Sequence, residues 1–146
     1  MSNWSRGMRA ATASALCTLG AAFPVIADSK ESDCDLHTLH GLYLFSAAGY
    51  TMPAGVPLPK AIIELLEFNG DGTIGSPGAT RSVNGVVIRS PAGGTGTYVL
   101  NTDCTGTLLF TNGPGFDIFV APKGKDLWMI QTDPNNVFQG KVTKLR

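Results

Sequence analysis

The chain is poor in the side chains that most enzymes use. Its 146 residues include two histidines, His37 and His40, both at the start of the mature chain, which leaves little for a Ser-His-Asp triad. No phosphate-binding glycine loop precedes a helix-like run, and no nucleophile elbow occurs. Charged residues are only 15% of the chain, 11 basic against 11 acidic, with no basic stripe. That excludes an electrostatic nucleic-acid surface. Nowhere is there an apolar run of the ~20 residues that a membrane-spanning helix needs. Helix-length segments free of turn residues are also absent between Gly94 and Arg146.

Cysteine is scarce as well, at three residues. Cys17 falls in an N-terminal stretch with the marks of a secretory signal: Arg6 and Arg9, the small and apolar run Ala10–Ala22, a break at Phe23-Pro24, and Val25-Ile26-Ala27. Leu16 stands where a lipoprotein signal needs a small residue, and no twin-arginine pair is present. Cleavage after Ala27 leaves 119 residues, enough for one domain, with 9 basic and 11 acidic side chains. The protein is therefore expected to be periplasmic or secreted, without a membrane anchor. Cys34 and Cys104 remain, and a pair in an exported domain reads as a disulfide. The spacing Cys34-x2-His37-x2-His40 invites a zinc reading, but the disulfide claims one ligand and the set stays incomplete. Asn69-Gly70-Asp71-Gly72 lacks the terminal glutamate of a calcium loop and serves as a hairpin turn. No metal and no cofactor are expected.

What is abundant is turn chemistry. The runs Gly96–Leu100, Thr105–Thr111, Phe116–Ala121, Leu127–Thr132 and Val137–Lys144 are separated by short breaks containing Gly, Pro, Asn or Asp. Such short links join antiparallel neighbours. Upstream, Gly41–Ala47 reads as a strand, and Ala48–Pro59, with two glycines and three prolines, as a long loop. Ala61–Phe68 has a helix-like composition, but the Asn-Gly turn after it favours a strand. Thr73–Arg81 and Val86–Ser90 flank Val83-Asn84-Gly85, and Ser90–Gly94 reads as a Pro/Gly link. The fold class is all-β. A single antiparallel up-and-down barrel of about eight strands spans 40–146, after a signal peptide at 1–27 and an arm at 28–39.

Several segments occur in a telling order: Gly41-Leu42-Tyr43-Leu44-Phe45, Leu66-Glu67-Phe68-Asn69-Gly70-Asp71-Gly72, Val83-Asn84-Gly85-Val86-Val87 and Gly96-Thr97-Tyr98. Asp103-Cys104-Thr105-Gly106-Thr107, Phe116-Asp117-Ile118-Phe119 and Ile130-Gln131-Thr132-Asp133-Pro134 follow. This order resembles small exported bacterial proteins whose domain is similar to the allene oxide cyclase barrel. The resemblance implies an eight-stranded, lipocalin-like barrel with an apolar cavity. Its plant relatives close a fatty-acid epoxide, and bacterial ones cyclise polyketides. Gly41-Leu42-Tyr43 departs from the Gly-x-Trp of true lipocalins, and the plant enzyme's catalytic residues do not map onto this chain.

Strand alternation sorts the candidates for a site. Ile62, Glu64, Leu66 and Phe68 share one face, while Ile63, Leu65 and Glu67 share the other, so periodicity leaves open which glutamate points inward. An inward Glu64 would be an acid or a polar anchor, and an outward one a solvated charge. Asp117, beside Phe119, and Gln131, beside Leu127 and Met129, either orient a ligand or face water. Tyr43 and Tyr98 read as core rings with hydroxyls at a rim. Tyr50, Met52, Val56 and Leu58 of the long loop form a candidate lid. The expected function is binding of a small apolar molecule in the barrel. The alternatives are a cofactor-free cyclase or isomerase of the same shape, and a filled barrel serving structure or a partner.

Overall fold

A computed structural model of the protein describes residues 34–146. The signal peptide expected at 1–27, and residues 28–33 of the arm, lie outside the described residues. Eight strands form a closed antiparallel barrel in sequence order: β1 (His40–Thr51), β2 (Leu58–Asn69), β3 (Thr73–Val83), β4 (Val86–Leu100), β5 (Thr105–Phe110), β6 (Gly115–Val120), β7 (Asp126–Gln131) and β8 (Asn136–Lys144). β1 pairs with β8 to close the ring, Ala47 lying opposite Gly140. The only helical elements among the described residues are three single turns of 3-10 helix. The all-β, up-and-down barrel is thus the fold.

Alternation along each strand builds the core. Tyr43, Phe45 and Ala47 of β1, Leu66 and Phe68 of β2, Leu108 and Phe110 of β5, Phe116, Ile118 and Val120 of β6, and Leu127 and Met129 of β7 are all buried. Their neighbours in sequence face out. Two sets of edge-to-face rings organise the interior. At one end Phe68 lies between Tyr43 and Tyr98, with ring centroids 5.1 and 5.2 Å apart. Higher up, Phe45 contacts Phe116 and Phe138, and Phe110 contacts Phe116. Such pairs contribute about 0.5–1.5 kcal/mol each beyond their burial.

The first of these ends is sealed. Leu36–Thr38 makes a 3-10 turn capped by Asp35, and Leu39 after it is fully buried. The Tyr98 hydroxyl donates to the Leu36 and Leu39 carbonyls at 2.8 and 3.1 Å, and the Tyr43 hydroxyl to the Gly124 carbonyl at 2.7 Å. A disulfide from Cys34 to Cys104, with Cα atoms 5.1 Å apart, ties this plug to the β4–β5 turn.

The barrel wall is uneven. β1 to β4 run for 12, 12, 11 and 15 residues, whereas β5, β6 and β7 have six each. Of β4 only Gly96–Leu100 pairs with β5, so residues 86–94 pair with β3 alone and leave a free edge. Two expectations about the tall wall need correction. Ala48–Pro59 is not a long loop: β1 continues to Thr51 and β2 starts at Leu58, leaving Met52–Pro57 as the connection. Gly49 is there because β1 and β8 approach closely, a Cβ at that position colliding with the Val137 carbonyl. Pro59 is tolerated because its carbonyl meets the Asn84 N–H in the next turn, so its nitrogen faces that turn instead of a ladder. Ser90–Gly94 is likewise no link but the middle of β4, where the ladder with β3 shifts register between Ser76 and Gly78. Proline and glycine sit at that irregularity, where a lost ladder bond costs least.

Candidate functional site

The end of the barrel opposite the plug is open. A cavity of about 400 Å³ lies there against the tall wall. Its floor and sides are apolar: Phe45, Ile62, Phe110, Phe116 and Phe138, with Pro91 and Pro114 at the rim. Its polar residues are Lys60 and Glu64 of β2, Ser76 and Arg81 of β3, Ser90 of β4 and Thr111. It opens sideways, through the gap between the free edge of β4 (Ser90, Pro91, Gly94) and the β5–β6 turn (Thr111, Gly113, Pro114).

Local chain geometry explains how those side chains meet. On β2 the even positions face in, from Lys60 through Glu64 to Phe68, in unbroken alternation. On β3 the inward positions are Ile74 and Ser76 low in the barrel but Ala79 and Arg81 above. The register with β2 shifts between Leu65 and Glu67, so β3 spends one extra residue around Ser76-Pro77 and changes face. Without that bulge Arg81 would fall on the outer face; with it, Arg81 lines the cavity while remaining exposed to solvent.

The Ser76 hydroxyl donates to Glu64 Oε1 at 2.7 Å. Burial pushes the Glu64 carboxyl above its usual range, opposed by the Ser76 hydrogen bond and the Arg81 charge. Lys60 Nζ donates to Gln131 Oε1 at 3.0 Å and lies 4.2 Å from the centre of the Phe138 ring. Burial lowers its pKa, as does the Arg81 charge, while Asp133 raises it. Asp133 itself accepts from Gln131 Nε2 and from the Gly115 N–H at 2.9 and 3.0 Å. The result is a carboxyl, an ammonium and a guanidinium around an aromatic floor, an arrangement able to orient a ligand or move a proton.

The sequence candidates distribute unevenly over this site. Glu64 lines the cavity, and Gln131 sits at its rim through Lys60. Tyr43 and Tyr98 are at the sealed end, where their hydroxyls hold backbone carbonyls; burial raises both pKa values. Asp117 is exposed on the outer face opposite Ile130 of β7, away from the cavity. None of the proposed lid residues lines the cavity. Tyr50 and Val56 are exposed and Met52 and Leu58 half-buried on the short β1–β2 connection or its flanks. Sequence reasoning missed Lys60, Ser76 and Arg81. Lys60 continues the Ile62-Glu64-Leu66 alternation by one step, a signal masked by Pro59. Ser76 and Arg81 had no signal, since the bulge reverses the face between them.

A larger hollow of about 600 Å³ lies on the outer wall over Ser46, Ala48, Ala61 and Ile63, and holds no titratable side chain. Among the described residues no three His, Cys, Asp or Glu side chains are grouped to hold a metal ion. No helix among them is long and apolar enough to cross a membrane. No protein-family model matches the chain, and no curated protein or solved structure matches it.

Proposed function

We propose that this chain is an exported barrel that binds a small, largely apolar molecule at its open end. The observation that carries the reading is the half-filled interior: a packed, plugged lower half beneath a cavity of about 400 Å³ lined by phenylalanines. Cavities of a few hundred Å³ with an apolar lining and a few placed polar groups are the usual form of a small-molecule site. The signal-like N-terminus and the Cys34–Cys104 disulfide support export. The resemblance to the allene oxide cyclase barrel belongs to the same proposal, since it too implies an apolar cavity. Native and denaturing mass spectra of protein purified from the periplasm test it. A discrete excess mass, present natively and lost on denaturation, is expected. A bare polypeptide mass, together with failure of any apolar probe to bind, would remove the ligand from the proposal.

A second reading, a cofactor-free cyclase or isomerase, is favoured by one observation. Glu64 is a half-buried carboxyl with raised pKa and one oxygen left for a substrate. In that case the cavity would hold a flexible substrate in a reactive conformation, with Glu64 supplying the proton. Glu64→Gln separates the readings. It would slow turnover of an enzyme by about 10²–10⁴-fold and change a carrier's affinity only mildly.

A further inference from the structure

We propose that the cavity selects a compact, ring-bodied anion, with its ring on the phenylalanine floor and its charged group on the Arg81 guanidinium. The inference rests on the reading of this cavity as a ligand site and adds the chemistry of its occupant.

The depth of the cavity limits the body of the ligand. Directly beneath Phe45 and Phe116 the interior is closed by Leu66, Phe68, Ile118 and Met129, each at most 1% exposed. An extended alkyl chain has no channel to enter. The floor of the space is a set of mutually edge-on rings, Phe45 with Phe116 and Phe138, and Phe110 with Phe116. A further aromatic ring can join such a set in the same edge-to-face geometry.

Charge selects the head group. Arg81 lines the cavity at its solvent-exposed edge and makes no hydrogen bond or ion pair with any described residue. The one ion pair among the described residues is Lys141 with Asp126, on the outer wall. Lys60 is already engaged by Gln131 and the Phe138 face, and it repels Arg81. Of the two carboxylates nearby, Asp133 is held at the rim by Gln131 and the Gly115 N–H, and Glu64 accepts from Ser76. Burial raises the Glu64 pKa, opposed by the Ser76 hydrogen bond and the Arg81 charge. The guanidinium fork, which matches planar anionic groups, is thus the open valence of the site. An anion there would also relieve the repulsion between the two cations.

Two fluorescent probes with one ring body test this: 1-anilinonaphthalene-8-sulfonate, and the neutral N-phenyl-1-naphthylamine. Both are titrated into the full chain, its Arg81→Gln variant and a cavity-filling Ala79→Phe variant. The sulfonate is expected to bind one to one and about ten- to hundredfold tighter than the neutral amine, the range for a charged hydrogen-bonded group. Arg81→Gln should erase that difference by weakening the sulfonate about ten- to hundredfold. Equal affinities in the wild type would overturn the anion while leaving the apolar site standing. Stronger displacement of the sulfonate by oleate than by naphthalene-2-sulfonate would overturn the compact body. Probe binding that survives both Ala79→Phe and Arg81→Gln would place the dye outside the cavity and count against the site itself.

Discussion

Reducing the Cys34–Cys104 bond tests how the sealed end is held. The bond joins residues 70 apart and fastens the Leu36–Leu39 plug to the β4–β5 turn. In the chain-entropy relation a closed loop of that length restricts the unfolded state by about 4.4 kcal/mol at 25 °C. Both sulfurs are buried, Cys34 at 5% and Cys104 at 6% exposure, so two thiols in place of the bond leave the packing almost unchanged. The reduced native state keeps the Cys34 N–H to Thr102 carbonyl contact and both Tyr98 hydrogen bonds. The loss should therefore come from the unfolded chain. Urea unfolding of oxidised and reduced protein, followed by tryptophan fluorescence, measures it. A drop of about 3–5 kcal/mol with a larger denaturant slope on reduction is expected, because the open chain exposes more surface. A drop below about 1 kcal/mol would refute the reasoning, and would mean that the plug already constrains the unfolded ensemble or that the bond is strained. Affinity for any ligand of the open end should be unaltered by reduction, since the bond lies at the opposite end.

Tyr98→Phe should cost about 1–3 kcal/mol by removing the hydroxyl donor from the Leu39 carbonyl and from the Leu36 carbonyl, which keeps only the Leu39 N–H, read as a shifted urea midpoint at constant slope. Glu64→Gln should change the pH profile of stability in a defined direction. The folded pKa lies above the unfolded value of 4.5, so this group's contribution falls as pH rises from there through the folded value and is level beyond. The stability difference between variant and wild type should follow that curve, with a slope of at most about 1.4 kcal/mol per pH unit for one proton, the variant gaining on the wild type as pH rises; a flat difference across pH would contradict the raised pKa of the half-buried carboxyl. Gly49→Ala sets a methyl against the Val137 carbonyl at the β1–β8 seam. It should destabilise by about 1–3 kcal/mol or more, and a neutral effect in thermal melts would show that the two strands separate there at little cost.

The strands after Gly94 were readable because each is bounded by residues whose backbone preferences force a turn; four of the five runs fall within a residue or two of their expected ends, and the fifth, Gly96–Leu100, is only the last part of β4, which begins at Val86. The disulfide was readable because Cys17 falls in the stretch with the marks of a secretory signal, which leaves Cys34 and Cys104 as the pair. Errors came where one residue type serves two purposes. Gly49 and Gly94 look like loop residues, yet both lie in ladders, Gly49 because a neighbouring strand comes too close for a side chain. The site was legible on β2, where strict alternation carries Glu64 inward with Leu66 and Phe68. It was illegible on β3, because a single extra residue near Pro77 reverses every later side chain. Asp117 shows the limit of shared-face arguments: it does keep company with Phe119, but on the outside of the barrel.

The free edge of β4 also bears on how the protein behaves at high concentration. Closure protects a barrel from pairing with its neighbours, and this barrel gives up that protection above Thr95. The exposed stretch begins Val86-Val87-Ile88, three β-branched residues of the kind that template intermolecular ladders. Arg89 and Pro91 follow at once, a charge on the outer face and a position with no N–H to donate. These two residues are the gatekeepers of the notch. Replacing both by valine would extend an uninterrupted sticky edge past the entrance of the cavity, and the same opening that admits a small molecule would then admit another copy's strand.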